Sequence, residues 1–510
     1  MTTPDLVASR PISSTQPLVV SQSALLWIAV LTPAVFLVHG YHPFADDAAI
    51  YISGIRKLVD PGLFLPDSAF VLAHTHLSLF AHLMAWIVRL TRLPLEPLLL
   101  SVHLASIFLF LLACWTLAER LFSDLAQRWC AITLAAVCFT LPIAGTALSL
   151  MDPYVTARSF STPVGLFALA AAIDHRWSRS LLLLLLAASL HPLMTAYAAA
   201  FIAVFFLVDF GIPRAALVIS AQAVVGAALI YFVTHHLPAD ADYRQAVLSR
   251  SYLFPGQWPA FEYLGLAIPL VLFALGARNR GMNPLLRAIC LTSCIVGVSA
   301  TVIAFLFVHP ARSLLLARLQ PLRSFHMLYA VGVILLGGFL GRVSFARGRG
   351  VRSRAIVVAL LSITAAIFFA AQRASYLLSA HIELPGSAPR NPWQQAFLWI
   401  RSNTPQDAVF AANPHLVFVE GEDAQGFRAM AERSLLADDK DEGVVVVFPG
   451  LADEWARQRN PQEGLDGMTD AQRMAHLRPL GATWILLPRS AETDLPCPYR
   501  NVATQVCRLD

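Results

Sequence analysis

Ser23-Ala-Leu-Leu-Trp-Ile-Ala-Val-Leu-Thr-Pro-Ala-Val-Phe-Leu-Val-His39 is an apolar run. Tyr41-His-Pro-Phe-Ala-Asp-Asp-Ala-Ala-Ile-Tyr51 follows it almost at once. The first stretch is long enough to span a bilayer. The second puts two adjacent carboxylates, Asp46 and Asp47, where the chain would leave the lipid. Residues 1–22 are largely polar with a single Arg, and no small-residue cleavage site follows the run. This pattern reads as a retained signal anchor with a cytoplasmic N-terminal segment.

The rest of the chain agrees with a membrane environment. Of 510 residues, 57% are hydrophobic and only 14% charged, against about 25% charged in a soluble domain. That excludes a water-soluble globule, a disordered chain and a coiled coil. The net charge of +5 is modest and carried almost wholly by Arg, since Lys occurs only at Lys57 and Lys440. Such an excess suits positive cytoplasmic loops and gives no ground for nucleic acid as a partner.

Further apolar runs cover 96–118, 129–150, 161–174, 180–191, 193–210, 215–234, 260–277, 287–308, 325–341 and 355–373, which makes eleven expected spans. The pair 180–191 and 193–210, split by His191-Pro192, could be two spans or one broken span. Arg placement sets the orientation. Arg120 and Arg128, Arg176 and Arg179, Arg278 to Arg287, and Arg342 to Arg354 all fall on one side, taken as cytoplasmic. Residues 41–95, 150–160, 235–259, 309–324 and everything after 374 are then outside. The segment 75–92, interrupted by His82 and closed by Arg89 and Arg92, is expected to lie in the interface rather than cross.

Four parts follow: an N-terminal segment (1–22), a transmembrane domain (23–373) with a long first outer loop (41–95), a linker (374–389) and a domain at 390–510. In that last part Trp393–Arg401 reads as a helix. Ala408–Phe410, Val444–Phe448 and Trp484–Leu487 read as buried strands, so a small α/β domain is expected. Cys114, Cys130, Cys138, Cys290 and Cys294 lie in apolar runs and read as core residues. Cys497 and Cys507 can pair if the tail meets an oxidising compartment.

Several residues could carry chemistry. Asp46 and Asp47 suit a divalent cation with oxygen ligands or a general base for a hydroxyl; a helix N-cap with a solvated neighbour would give the same sequence. In Met151-Asp-Pro-Tyr-Val-Thr-Ala-Arg158, Asp152 is a possible third carboxylate of the same cavity. Arg158 has the fork geometry for a phosphate, although a capped turn with a snorkelling Arg reads alike. His74 and His76 are candidate metal ligands beside Asp46 and Asp47. His42, His82 and His191 share the expected outer face. Arg312, Arg318 and Arg323, near His309, run against the positive-inside trend and are candidates for gripping a phosphate, with Arg244 and Arg250 weaker cases. No nucleotide-binding loop, nucleophile elbow or Cys-based metal site is present. The spans carry few ionisable residues, which disfavours an ion-coupled transporter.

At these residues the chain resembles the C-type glycosyltransferase fold (GT-C), in particular the protein mannosyltransferase and aminoarabinose transferase superfamily. The resemblance lies in the acidic pair Asp46-Asp47, the juxtamembrane stretches 48–58 and 75–92, and the turn Ala118-Glu-Arg-Leu-Phe122 with Arg128. It continues with Asp152 and the turn His191-Pro-Leu, and covers about residues 20–210. His191 stands where a basic residue is common. Trp393 to Asp439 also resembles outer domains of uncharacterised bacterial membrane proteins.

The resemblance implies a polytopic helical protein of the bacterial inner membrane that transfers a sugar from a polyprenyl-phosphate donor, lying among membrane lipid, to an unidentified acceptor at the outer face. Asp46 or Asp47 would activate the acceptor or hold a divalent cation, the one candidate cofactor. Asp152 would support them. Arg158, Arg312, Arg318, Arg323 and His191 would bind the donor phosphate. The competing expectations are an inactive scaffold or glycan-binding protein on the same fold, and a lipid or glycan transporter.

Overall fold

In the computed structural model the apolar runs form a helical bundle whose residues 20–211, 240–309, 314–345, 350–415 and 424–509 are described. Among them, seven helical segments are long and apolar enough to cross a bilayer: Gln22–His39, Leu95–Leu121, Pro192–Phe210, Ala260–Arg278, Pro284–Phe307, Leu316–Phe345 and Val351–Ser375. Their outer faces are greasy. Leu264, Ile268, Val271, Leu272 and Leu275, and likewise Ile356, Ile363 and Ile367, are each more than half exposed. Water would penalise such surfaces, whereas lipid does not. The chain is a multi-pass membrane protein.

The expected count of eleven spans is not what these residues show. The 215–234 run lies outside the described residues. Three other runs become shorter apolar helices, Leu125–Val137, Arg158–Ile173 and Trp177–Leu190. At 1.5 Å per residue they reach only about 20–24 Å. The expected span 129–150 stops at Val137. After Leu141 the chain turns back in a small hairpin of β1 (Pro142–Ile143) and β2 (Leu148–Ser149). Pro142 cannot continue a helical ladder. The turn uses positive φ at Gly145, where a Cβ would collide with the Trp258 ring. Trp177–Leu190 and Pro192–Phe210 are separate helices. His191 between them is extended, with Pro192 at the first helical position.

Close helix approach holds the bundle where small residues meet. Gly337 and Gly341 pack on Leu125–Val137 so tightly that a Cβ would lie 2.5 Å from the Ala131 Cα and 2.7 Å from the Ala126 carbonyl oxygen. Backbone cannot yield as a flexible side-chain tip can. Gly341→Leu is therefore expected to cost at least about 1–3 kcal/mol, seen as a lower melting temperature in detergent. An unchanged melt would show that the two helices can separate freely.

The first long loop builds three helical pieces. Asp47–Val59 is one. Ser68–Ala73 continues through the tight turn His74–His76, and Leu79–Thr91 leaves it at 105°. Leu79–Thr91 buries Phe80, Ala81, Met84 and Ala85 and exposes Leu79, Leu83, Trp86 and Leu90. A short helix with an open apolar face fits a seat at a membrane surface.

Beyond the last long helix, Asn391 caps helix Pro392–Asn403 by accepting from the Trp393 N–H at 2.9 Å. A five-stranded sheet follows in the order β4-β3-β5-β7-β6: Ser434–Leu435, Val409–Ala412, Trp484–Pro488, Thr504–Arg508 and Tyr499–Arg500. The first three strands run parallel, while β7 is antiparallel to both β5 and β6. Trp393, Phe397 and Ile400 of the helix pack with Phe410, Phe427, Trp484 and Val506. The expected strand Val444–Phe448 is instead helix Glu442–Val447. The Asp441 carbonyl accepts from the Val444 and Val445 N–H groups, and Val444, Val445 and Val446 are all buried. Packing on every side overrides the β preference of the valines.

Cys497 and Cys507 are disulfide-bonded. Peptide mapping without reductant should recover them cross-linked. Two free thiols would show that the pair is not oxidised where the protein is made.

Candidate functional site

Loops that the sequence assigns to one side of the membrane do meet. The backbone of Tyr41 and Ile382 forms a bridge, and the His42 N–H donates to the Pro153 carbonyl. Arg428 of the tail bonds Asp67 of the first loop at 2.6 Å. Arg318 donates to the Val447 carbonyl. Elsewhere in the chain, Arg120 pairs with Asp174 at 2.7 Å, joining two turns that the sequence assigns to the other side.

Four of the expected site residues come together. Asp46 and Asp47 start helix Asp47–Val59, while Asp152 and Arg158 flank the next loop. Arg158 bridges them: Nη1 donates to Asp47 Oδ2 at 2.7 Å and Nη2 to Asp152 Oδ2 at 3.0 Å. The Tyr154 hydroxyl donates to Asp46 Oδ2 at 2.9 Å. Lys440 reaches in from the tail and donates through Nζ to Asp46 Oδ1 and, at 3.2 Å, to Asp47 Oδ1. Asp46 has φ of +44° with ψ of −124°. A side chain in that region costs about 1–3 kcal/mol, and here the contacts with Tyr154 and Lys440 oppose its relaxation.

Depth separates the carboxylates. Asp46 keeps 45% of its side-chain surface and Asp47 32%, against 7% for Asp152. Burial pushes Asp47 up, but Lys440 and Arg158 outweigh it and hold its carboxyl well below the usual range. Asp152 goes the other way, because burial outweighs Arg158. Asp47 is thus an ionised, reachable carboxylate and a weak base. It can orient a hydroxyl and stabilise positive charge better than it can store a proton.

The remaining expected residues are dispersed. Arg323 lies over the Tyr252 ring at 5.8 Å, and its buried Nε has no hydrogen-bond partner. Its charge acts on Asp47. Arg318 is used in docking the tail, and Arg312 lies outside the described residues. His191 caps Pro192–Phe210 through Nδ1, which accepts from the Met194 N–H at 3.4 Å. Arg250 holds the Asp439 and Lys440 carbonyls.

The expected metal set does not assemble. His76 is exposed, and His74 packs edge-on against Tyr51 and Phe448. Asp46 and Asp47 face Lys440 instead. Among the described residues the carboxylates that gather tightly enough for an ion are Asp240, Asp242 and Asp453, none of them a member of this cluster.

The sequence reading missed Lys440 and Tyr154. Lys440 had a signal: it is one of two lysines in the chain, set within Asp438-Asp-Lys-Asp-Glu442. Its partners lie 393 and 394 residues away, a distance that no spacing rule bridges.

Residues 391–460 match the model of a family described as a domain of unknown function, DUF6798. No curated protein matches the chain. Among solved structures it is similar to the apo oligosaccharyltransferase of Archaeoglobus fulgidus, with 12% identity and a TM-score of 0.49, over 91% of this chain and 69% of that one.

Proposed function

We propose that this protein is a glycosyltransferase of a bacterial inner membrane. In this reading it takes a sugar from a polyprenyl-phosphate donor at the outer face and passes it to an acceptor hydroxyl. The supporting observation is the meeting of Asp47 and Asp152, drawn from two separate loops, on Arg158, with Asp46 joined to the same cluster through Tyr154 and Lys440. Asp47 orients the acceptor and offsets positive charge at the sugar as the glycosidic bond breaks. Arg323, with its unpartnered Nε, is the choice for the departing phosphate, whose charge grows in the same step. Neither role needs a nucleotide.

A second reading is favoured by one specific observation: both oxygens of Asp46 and of Asp47 already have protein donors. A structural ion cluster that docks the tail of an inactive scaffold would look the same. Purified protein in lipid vesicles, supplied with polyprenyl-phosphate-linked sugars and hydroxyl acceptors, separates the readings. Product seen by mass spectrometry supports transfer. Donor crossing the bilayer without product would make the protein a transporter, and neither event would leave the scaffold.

A further inference from the structure

Lys440 Nζ lies between the two carboxylates of the acidic pair, the place a bridging cation would take. Tyr154 and Arg158 hold the other oxygen of each. A divalent cation with oxygen ligands needs about six of them, and here each would have to be taken from a protein donor. The imidazoles do not complete such a set: His76 is exposed, and His74, with a buried unpartnered Nδ1, does not gather with Asp46 and Asp47 within ligand distance among the described residues.

The backbone that carries Lys440 is also fixed in place. Asp438 Oδ1 accepts from the N–H groups of Lys440 and Asp441 at 2.8 and 3.1 Å. Arg428 forks Asp441 at 3.0 and 2.8 Å while holding Asp67 of the first loop. Arg250 grips the carbonyls of Asp439 and Lys440, and Arg459 holds the Asp439 carboxylate at 2.9 Å. The loop is thus fastened both to the tail and to the loops of the membrane part. The residue type fits as well. A chain that carries nearly all its positive charge on Arg places here one of its two lysines, a compact ammonium whose rotatable donors reach both carboxylates.

We propose that Lys440 is the built-in counter-cation of Asp46 and Asp47, doing the charge-neutralising work of a divalent metal, so that the site operates without one. The tail then completes the site rather than merely covering it. This holds whichever reaction the site performs, because it concerns only which cation the pair accepts.

Manganese binding to the full-length protein in detergent, followed by electron paramagnetic resonance, tests it. Up to about 1 mM, the weak end of oxygen-ligand sites, the wild type should show no saturable site that the Asp46→Asn, Asp47→Asn double variant removes, any binding at Asp240, Asp242 and Asp453 being common to both. Lys440→Gln should gain one site, with Kd in the range of about 0.1–1 mM. Adding Asp47→Asn to that variant should abolish it. A saturable site in the wild type that disappears in the Asp46→Asn, Asp47→Asn double variant would overturn the proposal. So would a Lys440→Gln protein that melts normally and gains no site. If Lys440→Gln does not fold, the wild type against the double variant decides alone.

Discussion

Asp47→Asn should cut sugar transfer by about 10²–10³-fold while the protein stays inserted and folded. The amide keeps the shape, and its oxygen still accepts from Arg158 or Lys440, so the cluster loses a charge but not its packing. What disappears is the negative charge facing both the acceptor hydroxyl and the developing positive charge on the sugar. Asp46→Asn, with the more exposed side chain, is expected to lose less, since Asp46 has Tyr154 rather than Arg158 as its second partner. The measurement is initial rate against donor concentration, together with a melting curve for each variant. Equal rates for wild type and Asp47→Asn would sink the transferase reading. A collapse of the melt with no separate rate effect would point to the docking role instead.

The second large effect belongs to Arg158→Met. Arg158 and Asp152 are both nearly buried, with 8% and 7% of their side chains exposed. Removing one partner of such a pair leaves an uncompensated buried charge, at a cost of about 3–5 kcal/mol. Asp152 already has its carboxyl raised by burial, and without Arg158 it should rise further. The sign follows from proton counting. A carboxyl raised on folding binds more protons folded than unfolded across the interval between its two values, so its penalty grows as pH rises and is relieved in acid. In the wild type Asp47 contributes the opposite slope. Its carboxyl is lowered on folding, so its stabilisation is present above the unfolded value and lost as pH falls through the folded one. Melting curves across the acid range should therefore show the gap between wild type and Arg158→Met narrowing towards low pH. A small gap that does not change with pH would mean that Asp152 finds another partner.

The sequence by itself determined the membrane character, the positions of most apolar helices and the grouping of loops. Those follow from local quantities, namely run length and Arg placement, and lipid rewards them directly. It also singled out Asp46, Asp47, Asp152 and Arg158, because charged groups at a bilayer edge are costly enough to stand out. Helix lengths were less legible. Leu125–Val137 ends early because Pro142 and the Gly145 turn interrupt an otherwise apolar stretch. The Val444–Val446 run is helical because it is buried on all sides, a fact of packing rather than pattern. Tertiary structure alone decided that Arg158 spans two carboxylates, that Arg318 is spent on docking, and that the cation held by the acidic pair is Lys440. Those outcomes depend on contacts between residues far apart in the chain, where charge and distance are set by the whole fold and leave no periodic trace.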